Sequence, residues 1–339
     1  MTLSELKYKL KNKTHYYLIT SHRNEPYEKY LSYYCSYRYS LKHENIKDEN
    51  INYLAARPNP GAGIGHQMAN WIAGFWFAKK FGLKFAHIPF SNDHHPFVPN
   101  EWDTLLGFVE GEILVSDLIR KGYKKILLPL FNENNQAQIE IIKKIIISYS
   151  NRRAVFICEQ DQFLKNQYYV MNELQQKFYS ATTRKNDKLI YDKKNFNIAI
   201  HIRRGDIMND QTNPNLSIRY LSNDYYYRVL KQIITNIKTE LSIQIYIFSQ
   251  GKPEDYSEFN DIMNIHWCMK MGAQESFLHF VYADILITSK SSFSYKPALL
   301  NKGIKVCPKN FWHGYPTAND WILCDDNGDI PNNELEKLN

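Results

Sequence analysis

The sequence of 339 residues has no apolar stretch close to the roughly 18 residues that a membrane-spanning helix needs, so we expect no transmembrane segment and at most a peripheral membrane association. Its five cysteines are odd in number and form no Cys-x-x-Cys pair, which argues against a zinc ribbon or a disulfide scaffold and favours a reducing compartment. The segment from Met1 to Tyr17 lacks the apolar core of a signal peptide. These absences predict a cytoplasmic protein.

Several catalytic motifs are also missing. There is no Gly-Lys-Ser/Thr phosphate loop, no His-Glu-x-x-His and no Gly-x-Ser-x-Gly, which disfavours P-loop, metalloprotease and α/β-hydrolase chemistry. No Asp-x-Asp is present, so we expect no metal, and Arg, Lys and backbone amides would have to neutralise a phosphate leaving group. The net charge of +7 is modest, which suits a phosphate-bearing ligand but predicts no nucleic-acid partner.

Strand-like and helix-like segments alternate along most of the chain from residue 51 onwards. This alternation predicts an α/β protein with two Rossmann-like domains, residues 1–185 and 186–339, divided by a polar stretch at 180–194. The expected strands are 51–57, 83–88, 125–130, 154–158, 196–202, 243–249, 285–289 and 304–307. The expected helices are 67–81, 136–147, 161–179, 223–239, 274–282 and 293–300. Parallel sheets bind ligands at the carboxyl ends of their strands, so two such domains facing each other would form a binding cleft.

The sharpest motif ends the first strand of the second half. The apolar run that leads to His201 stops abruptly at Arg203, Arg204, Gly205 and Asp206. Planar guanidinium groups suit phosphate oxygens, and a glycine permits the sharp turn that would aim them. Asp206 could orient an arginine or accept a proton. The alternative is a purely structural Arg–Asp ion pair at a strand end.

Two further segments have the composition of phosphate-binding turns. Gly61, Gly63 and Gly65 separate an expected strand from an expected helix, where backbone amides could approach a phosphate, although a turn with a helix cap explains them equally well. The run Ser289–Ser294 follows another expected strand. Its hydroxyls could contact a phosphate or simply cap the next helix.

Taken in order, these segments resemble the peptide motifs of the α-1,2-, α-1,6- and protein O-fucosyltransferases. The residues that carry the resemblance are His201-Ile-Arg203-Arg204-Gly-Asp206, the Gly63-Ile-Gly65-His66-Gln67 segment, Ser291-Ser292-Phe-Ser294 and the strand Tyr246–Ser249. The resemblance implies a GT-B fold, in which two Rossmann-like domains face a cleft that holds a sugar nucleotide. It also implies an inverting, metal-independent transfer with no cofactor besides the donor.

The resemblance assigns roles residue by residue. It implies that Arg203 holds the β-phosphate of the donor, that Arg204 and His201 hold the nucleotide, and that Ser292 contacts the phosphates. The family places an acidic residue before that serine for the guanine edge, and the nearest one here is Glu275, one position away. With the glycine segment (Gly63, Gly65, His66, Gln67) and the neighbouring hydroxyls Ser291 and Ser294, these residues form the predicted donor site.

The catalytic base does not follow from the resemblance, because the residues after Asp206 differ from the family pattern. The loop Phe90–Pro96 follows an expected first-domain strand, and a carboxylate or imidazole there could take the proton of an acceptor hydroxyl. Asp93 is the first candidate, followed by His95 and then Asp206. The alternative is a surface loop in which these histidines occur by chance.

We therefore expect a glycosyltransferase that moves fucose from GDP-fucose to a glycan acceptor, in a cytoplasmic protein of bacterial or viral type. One alternative is the same fold with another donor, such as UDP-xylose or a rhamnosyl nucleotide. An alternative of a different class is a glycan-binding protein without catalytic activity.

Overall fold

The structure, a computed structural model, describes residues 52–59, 61–90, 101–150, 152–158, 164–209 and 213–338, except for the side chains of Asp206, Asn209 and Asn215. Along these residues the strands are β1 (Tyr53–Ala56), β2 (Lys84–His87), β3 (Ile113–Leu114), β4 (Lys124–Leu127), β5 (Ala154–Cys158), β6 (Asn195–His201), β7 (Ser242–Phe248), β8 (Ile265–Trp267), β9 (Ile285–Ile287), β10 (Ile304–Pro308) and β11 (Trp321–Cys324). The helices are α1 (Ile64–Lys80), α2 (Glu101–Leu106), α3 (Val115–Arg120), α4 (Gln136–Ile147), α5 (Met171–Ser180), α6 (Asp206–Asn209), α7 (Pro214–Ser217), α8 (Asn223–Asn236), α9 (Ala273–Tyr282), α10 (Ser292–Leu300) and α11 (Asn332–Leu335). Short 3₁₀ turns lie at Gln167–Val170, Thr182–Asn186, Pro253–Phe259 and Glu336–Leu338.

The described residues group into two compact units. The first takes its described residues from 52–62, 67–90 and 111–164, and the second from 63–66, 101–110 and 165–338. The main change of unit therefore lies at residue 165, whereas the sequence predicted it after residue 185. The start of α1 and the whole of α2 group with the second unit.

Within the described residues of the first unit, five parallel strands form a sheet in the order β3-β2-β1-β5-β4. Strand β5 is buried along its whole length, as expected for an inner strand of a parallel sheet covered on both faces. Helix α1 approaches β1 so closely that a Cβ on Gly74 would lie 2.6 Å from the Cβ of Ala56. At the end of α1, Gly82 adopts φ +65° and ends the helix, as the sequence predicted.

The described part of the second unit contains a six-stranded parallel sheet in the order β11-β10-β9-β6-β7-β8. Counted from β6, this is the 3-2-1-4-5-6 order of the Rossmann fold. The chain runs outward from β6 to β8, then returns to the centre and continues through β9 to β11. The topological switch point therefore lies between β6 and β9, and this arrangement places a ligand crevice at the carboxyl ends of those two strands.

The core of the second unit explains why these two strands are central. Ile198 and Ile200 of β6 and Ile285 and Ile287 of β9 are fully buried in one hydrophobic cluster. Continuous runs of buried β-branched residues are typical of parallel strands covered by helices on both faces. Because the side chains along these strands are buried in the core, functional side chains are expected only after the strands end.

The predicted α/β class with two parallel sheets is confirmed. The helix predicted at 161–179 is wrong at its start, because the chain first makes a 3₁₀ turn at Gln167–Val170 and α5 begins only at Met171. The sequence analysis missed the short strands β3, β8 and β11, since two to four residues leave too little periodicity to recognise. Among the helices of the described residues, none combines the length and apolar character of a membrane span.

Candidate functional site

A cavity of about 270 Å³ opens at the carboxyl edge of the six-stranded sheet, beside the switch point. Its lining residues come from the carboxyl ends of β6 and β7, from the loop after β8, and from α9 and the start of α10. Its lining includes His201, Arg203, Arg204, Phe248, Gln250, Cys268, Met271, Ser276, Phe280 and Phe293. The cavity thus combines apolar and aromatic walls with two guanidinium groups and several neutral polar groups, a composition typical of sites for small ligands.

Arg203 is tied across the switch point to the residues that follow β9. Its Nη1 donates a hydrogen bond to Ser291 Oγ over 3.2 Å. The same hydroxyl oxygen accepts the backbone N–H of Phe293 over 3.2 Å, so Ser291 is the N-cap of α10. Capping was one of the two interpretations that the sequence left open for this serine run; Ser291 is the residue that caps, and it also holds the arginine. The guanidinium and the positive end of the α10 dipole therefore lie together, an arrangement that favours an anion.

A second side-chain hydrogen bond also crosses the switch point. The Oγ of Ser289 and Nδ1 of His201 are 2.9 Å apart, and both side chains are buried. Ser294 Oγ accepts the backbone N–H of Ser289 over 3.2 Å. Burial first, and then the positive charge of Arg203, lower the pKa of His201 to about 3. The imidazole is therefore neutral at neutral pH and joins the ends of β6 and β9 without adding charge.

The two neighbouring arginines are held differently. Arg204 Nη1 donates to the carbonyl oxygens of Arg203 over 2.8 Å and of Leu221 over 3.0 Å, and its Nη2 donates to Asn223 Oδ1. Its Cζ lies 4.9 Å from the ring centroid of Tyr220. These contacts fasten the loop that follows β6. Arg203 is thus the guanidinium placed beside the helix start, while Arg204 lines the cavity with much of its donor capacity already in use.

Gly205 makes the turn after the arginines possible. It adopts φ +72°, a conformation that costs glycine little, and a Cβ there would lie 1.7 Å from Gln250 Oε1. Gln250 follows β7 and lines the same cavity. The predicted sharp turn is confirmed, and it also lets the Gln250 side chain lie directly against the backbone.

The glycine segment differs in part from the predicted loop. Helix α1 begins at Ile64, so Gly65, His66 and Gln67 lie in its first turn and only Gly63 precedes it. A Cβ on Gly65 would lie 2.7 Å from the carbonyl carbon of Ser292 and 2.9 Å from the backbone nitrogen of Phe293. Glycine is needed here because two backbones meet. This segment therefore packs against the start of α10, next to the predicted serines.

The other residues of the segment have separate surroundings. Gly63 has open space around the position of a Cβ, and His66 is exposed. The Nε2 of Gln67 donates to the carbonyl oxygen of Ala62 over 2.8 Å, which closes the turn before α1. Neither His66 nor Gln67 is part of the cavity lining found among the described residues.

The predicted acidic residue of the nucleobase site lies outside the cavity lining. Glu275 is exposed in the first turn of α9, and the next residue, Ser276, lines the cavity instead. Cys268 also lines the cavity and is partly exposed. Burial, and secondarily the charge of Glu275, raise the pKa of the Cys268 thiol to about 11. Among the described residues of the lining there is no carboxylate.

Sequence reasoning missed Gln250, Cys268 and Ser276. The first follows a buried strand as directly as Arg203 does, so the rule that ligands bind at strand ends could have identified it. The candidate bases Asp93 and His95 lie outside the described residues, and so does the side chain of Asp206, whose backbone begins α6. In the part of the chain that the structure describes, no group of three or more His, Cys, Asp or Glu could hold a metal ion.

The strand order and this crevice define the second unit as a Rossmann-like domain. No family model matches the chain, and no curated protein sequence matches it. Among solved structures, a POFUT1 complex with GDP is similar over 77% of this chain and 99% of its own, with 11% identity and a TM-score of 0.43. The NodZ α-1,6-fucosyltransferase soaked with GDP-fucose is similar over 74% of this chain and 93% of its own, with 10% identity and a TM-score of 0.42. Fucosyltransferase NodZ from Bradyrhizobium is similar over 74% of this chain and 92% of its own, with 10% identity and a TM-score of 0.46.

Proposed function

We propose that this protein is an inverting, metal-independent glycosyltransferase of the GT-B type that uses a nucleotide sugar, with GDP-fucose as the favoured donor and a glycan as the acceptor. The observation that carries the proposal is the Arg203–Ser291 hydrogen bond at the switch point of a Rossmann-like sheet. It holds a guanidinium next to the amino end of α10, in a cavity with aromatic walls. This combination suits a ligand with a diphosphate at one end and a base at the other.

The proposed reaction follows from where the charge develops. The acceptor hydroxyl oxygen attacks the anomeric carbon of the donor as the bond from that carbon to the diphosphate breaks. The nucleoside diphosphate leaves with one more negative charge than it carried as an ester. Arg203, the hydroxyls of Ser291 and Ser292 and the amides at the start of α10 would stabilise that charge. The acceptor proton would pass to a base, for which Asp93, His95 and Asp206 stay the candidates.

The nucleobase is proposed from the sequence motifs. The resemblance of the sequence motifs to those of fucosyltransferases favours guanine. One observation favours the alternative of another sugar nucleotide. The described lining of the cavity offers Gln250 and Ser276 rather than a carboxylate, and neutral groups of this kind can pair with uracil as well as with guanine.

The test measures the release of free nucleoside diphosphate from GDP-fucose, UDP-xylose and a dTDP-rhamnose donor, with and without a mixture of glycan acceptors. We expect acceptor-stimulated release of GDP, and nucleotide binding that raises the melting temperature. Release of UDP alone would show that the donor is a UDP-sugar, and the proposed reaction type would stand. A protein that binds glycans but leaves all the donors intact would be a lectin, and the proposal would be wrong.

A further inference from the structure

The two serines that cross the switch point are joined by a tight turn. The backbone N–H of Ser291 donates to the carbonyl oxygen of Ser289 over 2.7 Å, which makes Lys290 the central residue of a three-residue γ-turn. The hydroxyl of Ser289 contacts His201, and the hydroxyl of Ser291 contacts Arg203, so both side chains extend toward β6. The position of the two serines, and with it that of the Arg203 guanidinium, therefore depends on this turn.

The side chain of Lys290, between the two serines, contacts the strand ends on the other side of the sheet. Its Nζ lies 2.7 Å from Oδ1 of Asp326, which follows β11. The other carboxylate oxygen of Asp326 accepts a hydrogen bond from Nδ2 of Asn310, which follows β10, over 2.8 Å. Since β9 lies between β6 and β10 in the sheet, the turn after β9 is held from both sides.

The carboxylate of Asp326 lies in a turn that is fixed to the rest of the second unit. The side chain of Asp325 accepts the backbone N–H of Asp329 over 2.9 Å and so closes this turn around Asp326. A Cβ on Gly328, in the same turn, would lie 2.6 Å from the carbonyl oxygen of Tyr225, which shows that the turn packs directly against α8. Asp326 is therefore a fixed point to which a neighbouring loop can be held.

The ion pair is shielded from water mainly at its basic end. The side chain of Lys290 is 13% exposed, whereas that of Asp326 is 49% exposed. The hydrogen bond from Lys290, followed by the one from Asn310, lowers the pKa of Asp326, so its carboxylate is ionised at neutral pH. Ion pairs with this much contact with water contribute little to stability. The pair is therefore better suited to fix the geometry of the turn than to stabilise the fold.

We infer that Lys290 and Asp326 are positioning residues that hold the turn between Ser289 and Ser291, and so place the Ser291 hydroxyl and the Arg203 guanidinium for the donor diphosphate. The inference rests on the proposed function, because it takes a diphosphate to be the group that binds there. Neither residue is assigned a contact with the ligand. Their effect is carried by the backbone of the turn and by the hydrogen bond between Ser291 and Arg203.

The variant Asp326→Asn separates the effect of position from the effect of charge. An amide has one acceptor oxygen where a carboxylate has two, so its two ends cannot hold both Lys290 and Asn310. The variant also removes a negative charge from the edge that carries the site, which by charge alone would strengthen the binding of an anion. We expect the opposite, a fall of about fivefold or more in the affinity for inorganic pyrophosphate, measured by calorimetry. Donor turnover, measured as released nucleoside diphosphate, should fall with it.

The matched control is Asp261→Asn. Asp261 forms the same kind of ion pair, with Lys231 over 3.0 Å, but it precedes β8 and so lies at the opposite edge of the sheet. The control should leave pyrophosphate affinity and turnover as in the natural protein, and both variants should melt at similar temperatures. Lys290→Arg, which keeps a cation beside Asp326, should retain most of the affinity and turnover.

A double variant tests whether the two residues act as one unit. Lys290→Met/Asp326→Asn should lose no more turnover than the more damaging of the two single variants, because once one partner is gone the other has no pair to form. Additive losses would show two separate roles and would overturn the inference.

The pyrophosphate measurement keeps this inference distinct from the proposed function. Unchanged or higher pyrophosphate affinity in folded Asp326→Asn would overturn the inference, and so would a natural protein that does not bind pyrophosphate. A natural protein that releases no nucleoside diphosphate from any donor would refute the proposed function alone. A fall in pyrophosphate affinity in Asp326→Asn but not in Asp261→Asn would then still support the role of the pair.

Discussion

The guanidinium of Arg203 and the hydroxyl of Ser291 are joined by a hydrogen bond of 3.2 Å across the two central strands of the second sheet. Because Ser291 Oγ also caps α10, one oxygen atom fixes both the helix start and the arginine. Any change at either residue should therefore affect the position of the other.

Replacing Arg203 should affect chemistry far more than folding. We expect Arg203→Ala to lower turnover by about 10²–10³-fold, as the loss of a group that stabilises the charge of a transition state does. Arg203→Lys should recover only part of it, since a point charge cannot span two phosphate oxygens as a fork does. Initial rates of nucleotide release measure this, with the exposed Arg120→Ala as the control. Near-normal turnover in folded Arg203→Ala would place the active site elsewhere.

Replacing Ser291 tests the shared oxygen atom. Ser291→Ala removes the cap and should cost about 1 kcal/mol of unfolding free energy. It also removes one hydrogen bond that positions Arg203, so turnover should fall by about tenfold or more. The matched control is Asn135→Ala, because Asn135 caps α4 in the first unit by accepting the N–H of Gln138 over 3.2 Å and lies outside the described cavity lining. Equal effects of the two variants on turnover would mean that Ser291 is only a cap.

The two glycines before and within α1 should respond differently to the same substitution. In Gly65→Ala the new methyl group would meet the backbone of Ser292 and Phe293, which cannot move without displacing α10. We expect a loss of about 1–3 kcal/mol of unfolding free energy, as for other overpacked sites. Gly63→Ala meets nothing within 4 Å and should keep its melting temperature. Urea unfolding gives the free energy of unfolding of both variants. Equal values would contradict the close approach of Gly65 to the start of α10.

The thiol of Cys268 should report ligand binding. It lines the cavity, whereas the other three described cysteines, Cys158, Cys307 and Cys324, are buried. With a thiol pKa of about 11, alkylation should be slow at neutral pH. Its rate should rise about tenfold for each unit by which the pH is raised, until the pH reaches the pKa. We expect the donor nucleotide to protect Cys268 from N-ethylmaleimide, measured by mass spectrometry of its peptide. Unprotected alkylation at saturating nucleotide would exclude this cavity as the binding site.

Acid should destabilise the fold through His201. Its pKa is lowered to about 3 in the folded state, against about 6.5 in an unfolded chain. Between these values the unfolded state binds a proton that the folded state does not, so the unfolding free energy falls as the pH falls below about 6.5. His201 should contribute a loss of about 2 kcal/mol by about pH 5. Urea unfolding at several pH values should show a shallower dependence in His201→Asn, and an unchanged dependence would refute this.

Some of the site could be predicted from the sequence because it depends on local rules. Charged residues that follow a buried apolar strand must lie at its carboxyl end, which identified Arg203. A run of serines before an expected helix predicted a cap, but it did not distinguish Ser291 from its neighbours. The same reasoning failed for Glu275, which does not line the cavity. Its position in the chain suggested a role in the site, but a shift of one residue turns a helical side chain by about 100°, and Ser276 lines the cavity instead.

By itself, the sequence determined the α/β class, most of the strands and helices, and the residue types at the strand ends, because periodicity, glycine and capping act over a few residues. Only the tertiary structure decided which strand ends are neighbours. The order of the second sheet brings β6 next to β9, although their hydrogen-bonded partners Arg203 and Ser291 are 88 residues apart in the chain. The close approach of Gly65 to Ser292 and the ion pair of Lys290 with Asp326 were decided in the same way, since both depend on contacts between segments that no local pattern encodes.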